Sequence, residues 1–173
     1  MQNSDSNLLM KDINHLINNI RYYLDNPERG LPEELFRFVT ELTPMVNVDL
    51  LVSDKKGNYL LAWRKDEFHD GWHIPGGIVR VREKLTHRIE QVALTELLCK
   101  VEYDPNPINI FESIHPVKIR SHFISFLYRC YTPLDYSIDK QPWCQEENGY
   151  LAWHDHFPEN MIPAHAVYRS FFN

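Results

Sequence analysis

Residues 71–100, GWHIPGGIVRVREKLTHRIEQVALTELLCK, constrain the fold of this chain more than any other stretch. Trp72, His73 and Ile74 end a strand-like run at Pro75. Gly76 and Gly77 follow, where the backbone must bend sharply and can approach a ligand closely. Over 84–100 the apolar residues recur at helical spacing, which predicts a helix of roughly four turns. A strand end, a glycine turn and an amphipathic helix in that order look like a phosphate-and-metal site. This helix, however, carries few acids.

The rest of the chain alternates between helical and strand periods. Leu8, Leu9, Ile13, Leu16, Ile17, Ile20 and Leu24 share a helical period until NPERGLP stops it, and EELFRFVTEL reads as a second, shorter helix before Pro44. Amphipathic helices of this kind serve packing or dimerisation. From Met45 the period changes: MVNVDLLVSD and YLLAWRK, joined by KKGN, predict a hairpin. INIFESIHPVKI and SHFISFLYRCYT are rich in β-branched and aromatic residues and predict two further strands. YLAWH predicts a short strand after a long loop, and PAHAVYRSFF a closing helix with proline near its first turn. Elements mixed in this order predict an α/β fold with a mixed central sheet between helices. The division expected is an N-terminal helical extension over 1–41 and a main domain over 42–173.

Composition narrows the function classes. A net charge of −6 disfavours a general nucleic-acid binder, which needs a concentrated basic face, but leaves room for a nucleotide site where a metal supplies positive charge. No run approaches the roughly 20 apolar residues of a membrane span. MQNSDSNLLMKDINHL has neither the basic nor the apolar region of a secretory signal, so a cytoplasmic protein with no membrane partner is expected. Cys99, Cys130 and Cys144 are widely spaced without a CxxC and read as reduced thiols.

Gly77, Glu83 and Glu96 fall on the spacing G-x5-E-x7-R-E-x2-E-E-x-G, and through it the chain resembles the Nudix hydrolases. Gln91 stands where that signature has arginine, Val92 and Thr95 where it has two further glutamates, and Leu98 where it has its final glycine. Positions 92, 95 and 96 share a helical face, so the full signature presents three carboxylates to metal and this sequence presents one. One carboxylate can hold one Mg²⁺ if other oxygens and a substrate diphosphate complete the octahedron. A helix keeping only the last glutamate is similar to that of the GDP-mannose mannosyl hydrolase branch, whose flanking segments LTPMVNVDLLVSDKKGNYLLAWRK, GWHIPGG and IPAHAVYRSFF also resemble.

That resemblance implies a Nudix-like α/β/α sandwich, a Mg²⁺ or Mn²⁺ cofactor, a nucleotide-sugar substrate and a homodimer. It implies water attack at the anomeric carbon of a GDP-mannose or GDP-glucose type substrate, releasing nucleoside diphosphate and free sugar. Matched position by position, Gly76, Glu96 and Glu146 are the expected metal ligands and Arg64 the diphosphate contact. Asp49 is expected to bind substrate. Glu147 stands where the branch has its catalytic histidine and is the expected base, with His122 and His115 as rivals. Two further cationic positions of the branch fall on Ile78 and Gln91, and its tyrosine on Phe123; Arg80, Arg82, Lys118 and Arg120 are the replacements at hand. Two other readings stay open: a pyrophosphohydrolase cleaving a phosphoanhydride, and a nucleotide-sugar binding protein impaired in catalysis.

Overall fold

The computed structural model describes residues 2–24, 26–67, 69–117 and 119–172, with side chains of all of these except 2–9 and 140. The side chains of Leu8 and Leu9, and Lys118, fall outside the described residues. Strand β1 (Met45–Ser53) is the axis of the sheet, and its alternation explains why. Val48, Leu50 and Val52 enter a core layer shared with Ile89, Val92, Ala93 and Leu97, whereas Leu51 enters a second layer on the opposite face with Tyr168 and Phe172. Period-2 side chains buried on both faces require cover on both faces.

The other strands are β2 (Tyr59–Lys65), β3 (Asp70–His73), β4 (Gly76–Ile78), β5 (Glu102–Tyr103), β6 (Asn109–Ile114), β7 (His122–Tyr131) and β8 (Leu151–His154). They form one eight-stranded sheet in the order β3-β2-β1-β7-β5, with β4 on β1, β6 on β7 and β8 on β2. The expected hairpin is present, β1 and β2 being antiparallel. β1 runs parallel to β7 from Met45↔Phe123 to Ser53↔Tyr131, which makes the sheet mixed, as the sequence predicts.

The helices depart from the sequence expectation in type. Helix α3 (Leu85–Val92) passes into a π-helical turn, Ala93–Leu97, and stops at Leu98, whose φ is 57°. The regular helix expected over 84–100 is therefore shorter and wider at its end. A π turn adds one residue without breaking the helix, a change that apolar periodicity does not register. The closing segment Pro163–Phe171 is a 3₁₀ helix. Three residues per turn put His165, Tyr168 and Phe171 in one row, and Phe111 meets the rings of both Tyr168 and Phe171.

Ahead of the sheet lie α1 (Gln2–Tyr23), a 3₁₀ turn (Pro27–Arg29) and α2 (Glu33–Leu42). Two of its side chains anchor α2: Arg37 bonds Glu67 at 2.6 Å, and the buried Thr40 hydroxyl accepts the Arg120 N–H at 3.2 Å. No described helix is long and apolar enough to cross a membrane.

Candidate active site

The glycine pair forms β4 and lies on β1, with Gly76 opposite Asp49 and Gly77 opposite Val48. A Cβ at Gly76 would sit 2.1 Å from Asp49 Oδ1 and 2.9 Å from the Val48 carbonyl. At Gly77 it would meet Val92 Cγ2 at 2.9 Å and Arg88 Cδ at 3.2 Å. The two glycines therefore let the sheet and α3 close on each other around one point.

Beside that point, Glu83 is fixed rather than free. Its side chain is 8% exposed and its Oε2 accepts from the Arg80 N–H and from Nε and Nη2 of Arg88. Burial pushes the carboxyl up, but the Arg80 N–H and the Arg88 guanidinium outweigh it and hold the group below the usual glutamate range. The guanidinium that meets Glu83 belongs to Arg88, one turn before Gln91, the position where the signature has its arginine.

Asp49, 1% exposed, forms the floor. Asn47 Nδ2 donates to its Oδ1 at 2.7 Å and the Tyr168 hydroxyl donates to its Oδ2. Burial raises its carboxyl to about 6, against the opposing hydrogen bonds of Tyr168 and Ser125. His73 and Glu96 lie in the same field: His73 Nε2 is 3.4 Å from Glu96 Oε2, too poorly aligned for a hydrogen bond. His165 packs against His73 at 5.9 Å between ring centroids, and its Nδ1 accepts the Ile74 N–H at 3.0 Å. That bond places the ring proton on Nε2. Burial, then the neighbouring His73 and Arg64, keeps the imidazole well below the ordinary histidine range.

These groups line a cleft of about 1470 Å³ that also takes in Gly76, Gly77, Arg64, Arg80, Arg88, Arg120, Asn148 and residues of α2. Of the residues expected from sequence, Asp49, Arg64, Gly76, Gly77 and Glu96 come together here. Glu83 supports them from behind through Arg88. Glu146, Glu147 and His122 are not among the described residues lining the cleft. Glu147 folds back to accept the Cys144 N–H at 2.8 Å, and His122 lies 3.2 Å from Glu112. From the same loop it is Asn148 and Gly149 that reach the cleft; Asn148 Oδ1 takes the Lys65 N–H at 3.1 Å. His73, Ser125 and the pair His165 and Tyr168 come from three elements far apart in the chain, β3, β7 and the closing 3₁₀ helix, so no single sequence spacing links them.

Among the described residues no three His, Cys, Asp or Glu side chains gather into a ready-made metal site. One donor nevertheless fits a cation: Glu96 Oε2 is buried without a hydrogen-bond partner, and on the neighbouring His73 ring, whose Nε2 faces it, Nδ1 is likewise buried without one. A buried carboxylate oxygen left unpaired is costly. The π turn carries Glu96 into this position, while Val92, 3% exposed, fills the core against Gly77, and the Thr95 hydroxyl turns back to the Gln91 carbonyl at 2.8 Å. The donor set suits one ion and not a cluster.

No protein-family model matches the chain. Among curated proteins, the low-salt glycan biosynthesis protein Agl8 of Haloferax volcanii is 35% identical over 78 residues, which are 44% of this chain and 49% of that protein. The chain thus spans about half the length of that relative. Solved structures give a consistent architecture. A NUDIX-family hydrolase of Clostridium perfringens superposes with a TM-score of 0.56 at 18% identity, covering 75% of this chain and 95% of its own. The MutT protein of Methanosarcina mazei Go1 gives 0.56 at 19%, covering 76% and 92%. A structure described as UDP-X diphosphatase gives 0.54 at 18% and covers 90% of this chain and 73% of its own, a share that must include part of the N-terminal helices. With its mixed sheet, its glycine pair on β1 and α3 packed against that pair, the chain carries the Nudix hydrolase fold.

Proposed function

We propose that this protein is a divalent-metal-dependent hydrolase of a nucleoside diphosphate sugar, with water attacking the anomeric carbon. The observation that carries the reading is Glu96, the lone carboxylate of its helical face, with a buried Oε2 that makes no hydrogen bond. A site limited to about one ion is poorly equipped to activate water at phosphorus and well able to screen a diphosphate that departs whole. When bound, Mg²⁺ or Mn²⁺ would supply that screening charge, and Glu96 and the Gly76 carbonyl are the groups that would hold it.

The chain's own residues do the rest. Water gives its proton to His73 Nδ1, and the carboxylate of Glu96, 3.4 Å from Nε2, favours the imidazolium that results. The water oxygen bonds to the anomeric carbon as the carbon–oxygen bond to phosphate breaks, and that electron pair leaves on the nucleoside diphosphate. Arg64 takes part of the departing charge. Asp49, locked by Asn47 and Tyr168, supports Gly76 from below. Glu147 and His122 take no part in this reading.

The name of the Agl8 relative supports a sugar-linked substrate. A second reading, cleavage of the phosphoanhydride, is favoured by the likeness to UDP-X diphosphatase. Turnover of GDP-mannose, GDP-glucose and UDP-glucose in ¹⁸O-water with Mg²⁺ separates them. Label in the free sugar supports carbon attack; label in a phosphate product refutes it; binding without turnover identifies a catalytically impaired protein.

A homodimer belongs to this reading. On α1 Ile13, Leu16, Ile20 and Tyr23 follow the a and d spacing of a heptad, with isoleucine at a and leucine at the first d. In the single chain these side chains are 38%, 60%, 40% and 80% exposed. A second α1 offers the same stripe and covers it.

A further inference from the structure

We infer that Arg120 and Arg64 form an anion subsite, built by helix α2, that takes a phosphate group of the substrate. The inference rests on the nucleotide reading only for the name of that substrate. Arg120 is half-buried and lines the cleft with Arg64. Among the described residues it has no carboxylate within salt-bridge distance, and the acids in its field are already engaged. Asp66 accepts from Arg64 Nε at 2.6 Å, and Glu33 accepts from Arg37 Nε at 2.9 Å. Burial, followed by the field of Arg64, holds the guanidinium below the usual arginine range. A half-buried cation beside a like charge is a cost unless an anion completes it.

The surroundings hold the guanidinium in that position. Arg120 has a φ of 54°, in the left-handed region that a side chain such as arginine rarely adopts. Its N–H is held by Thr40 Oγ1 at 3.2 Å, and Thr40 is itself fixed by donating to the Arg37 carbonyl at 2.8 Å. The guanidinium lies 5.7 Å from the centre of the Phe36 ring. Phe36, Val39 and Thr40 of α2 line the same cleft, so the N-terminal helix forms a wall of the site. Two guanidinium forks, each able to hold two oxygens, match a phosphate or diphosphate better than a carboxylate or a neutral ring.

The probe is inorganic pyrophosphate in EDTA, followed by calorimetric titration and thermal melting. The wild-type chain binds it and melts higher in its presence. Arg120→Gln weakens binding by about 10- to 100-fold, the worth of a charge-assisted hydrogen-bond pair, while its melting temperature without anion stays equal to or above wild type. Arg120→Lys, which keeps the charge and loses the fork, falls between the two. Phe36→Leu, which keeps an apolar side chain but removes the ring, weakens binding a few-fold. Unchanged pyrophosphate affinity in Arg120→Gln overturns the subsite, and so does a fall in its anion-free melting temperature, which marks a structural arginine. Kinetics with nucleotide sugars keeps the two claims apart. Arg120-dependent pyrophosphate binding without turnover of any nucleotide sugar leaves the subsite standing and removes the proposed function. Turnover with KM unchanged in Arg120→Gln does the reverse.

Discussion

Glu83 Oε2 accepts both Nε and Nη2 of Arg88, at 2.8 and 2.6 Å, and the same oxygen takes the Arg80 N–H. With side chains 8% and 11% exposed, the pair locks the loop after the glycines to the first turns of α3. Removing one partner strands the other. Arg88→Met is expected to cost about 3 kcal/mol in urea unfolding, more than Glu83→Gln, which leaves no buried charge without a counterion if Arg88 reaches solvent. The pH dependence follows from the sign of the shift. Glu83 is held below its ordinary value, so its contribution is present above the unfolded pKa and is lost as pH falls through the folded one. Wild-type stability should therefore drop below about pH 4.5 more steeply than that of Glu83→Gln; parallel profiles would exclude the pair as the cause.

Gly76→Ala tests the contact between the glycine pair and the floor. The added methyl would lie 2.1 Å from Asp49 Oδ1 in a strand register with no slack, and Asp49 is fixed by Asn47 and Tyr168. Loss of about 3 kcal/mol is expected, against about 1 kcal/mol for Gly77→Ala, whose contacts are less severe, 2.9 Å to Val92 Cγ2 and 3.2 Å to Arg88 Cδ. Equal losses at the two positions would show that the strand yields at Gly76.

Leu98 is the residue at which the π turn stops, with φ 57° and half of its side chain in water. A left-handed leucine costs on the order of 1–2 kcal/mol, and glycine returns part of that as backbone entropy in the unfolded chain. Leu98→Gly should stabilise the protein by about 0.5 kcal/mol, read as a higher midpoint in urea. A lower midpoint would mean that the leucine packs in solution.

That position shows how much was legible in the sequence. The signature's final glycine and its arginine are absent as letters, yet Leu98 takes a left-handed conformation of the kind that favours glycine and Arg88 brings a guanidinium to Glu83. The strands were readable because Val48, Leu50 and Val52 alternate with Asp49 and Leu51, and a two-residue period survives in any sheet. The π turn was not, since one inserted residue leaves the apolar spacing almost intact. His73 and His165 were not, since only the folded sheet brings residues so far apart in the chain into ring contact. The wall supplied by α2 was hidden for a different reason: Phe36 and Thr40 look like ordinary packing residues until Arg120 is seen against them in the same cleft.

The heptad face of α1 makes a prediction about assembly. Leu16→Lys with Ile20→Lys places two charges on the a and d positions and should convert a dimer to a monomer in light scattering. Neither residue belongs to the cleft, so pyrophosphate affinity should be retained. A mass unchanged from that of the wild-type dimer would show that another surface holds it.

A metal site that was lost and one the fold never had room for respond differently to substitution on the 92–96 face. Glu96→Gln keeps the shape of the π turn and removes the charge, so Mn²⁺ affinity, followed by relaxation of water protons, should fall at least tenfold with little change in melting temperature. Val92→Glu restores a signature letter and should not restore a second ion. Val92 is 3% exposed, within 2.9 Å of where a Gly77 Cβ would be, and its neighbours Ile89, Ala93 and Leu97 offer no hydrogen bond to a carboxylate. Burying an unpaired acid there is expected to cost about 3 kcal/mol or more, without raising the number of Mn²⁺ ions bound. A gain of a second ion in a stable Val92→Glu protein would show that the helix can rotate its 92–96 face into the cleft, and that the missing glutamates are a change of letters and not of packing.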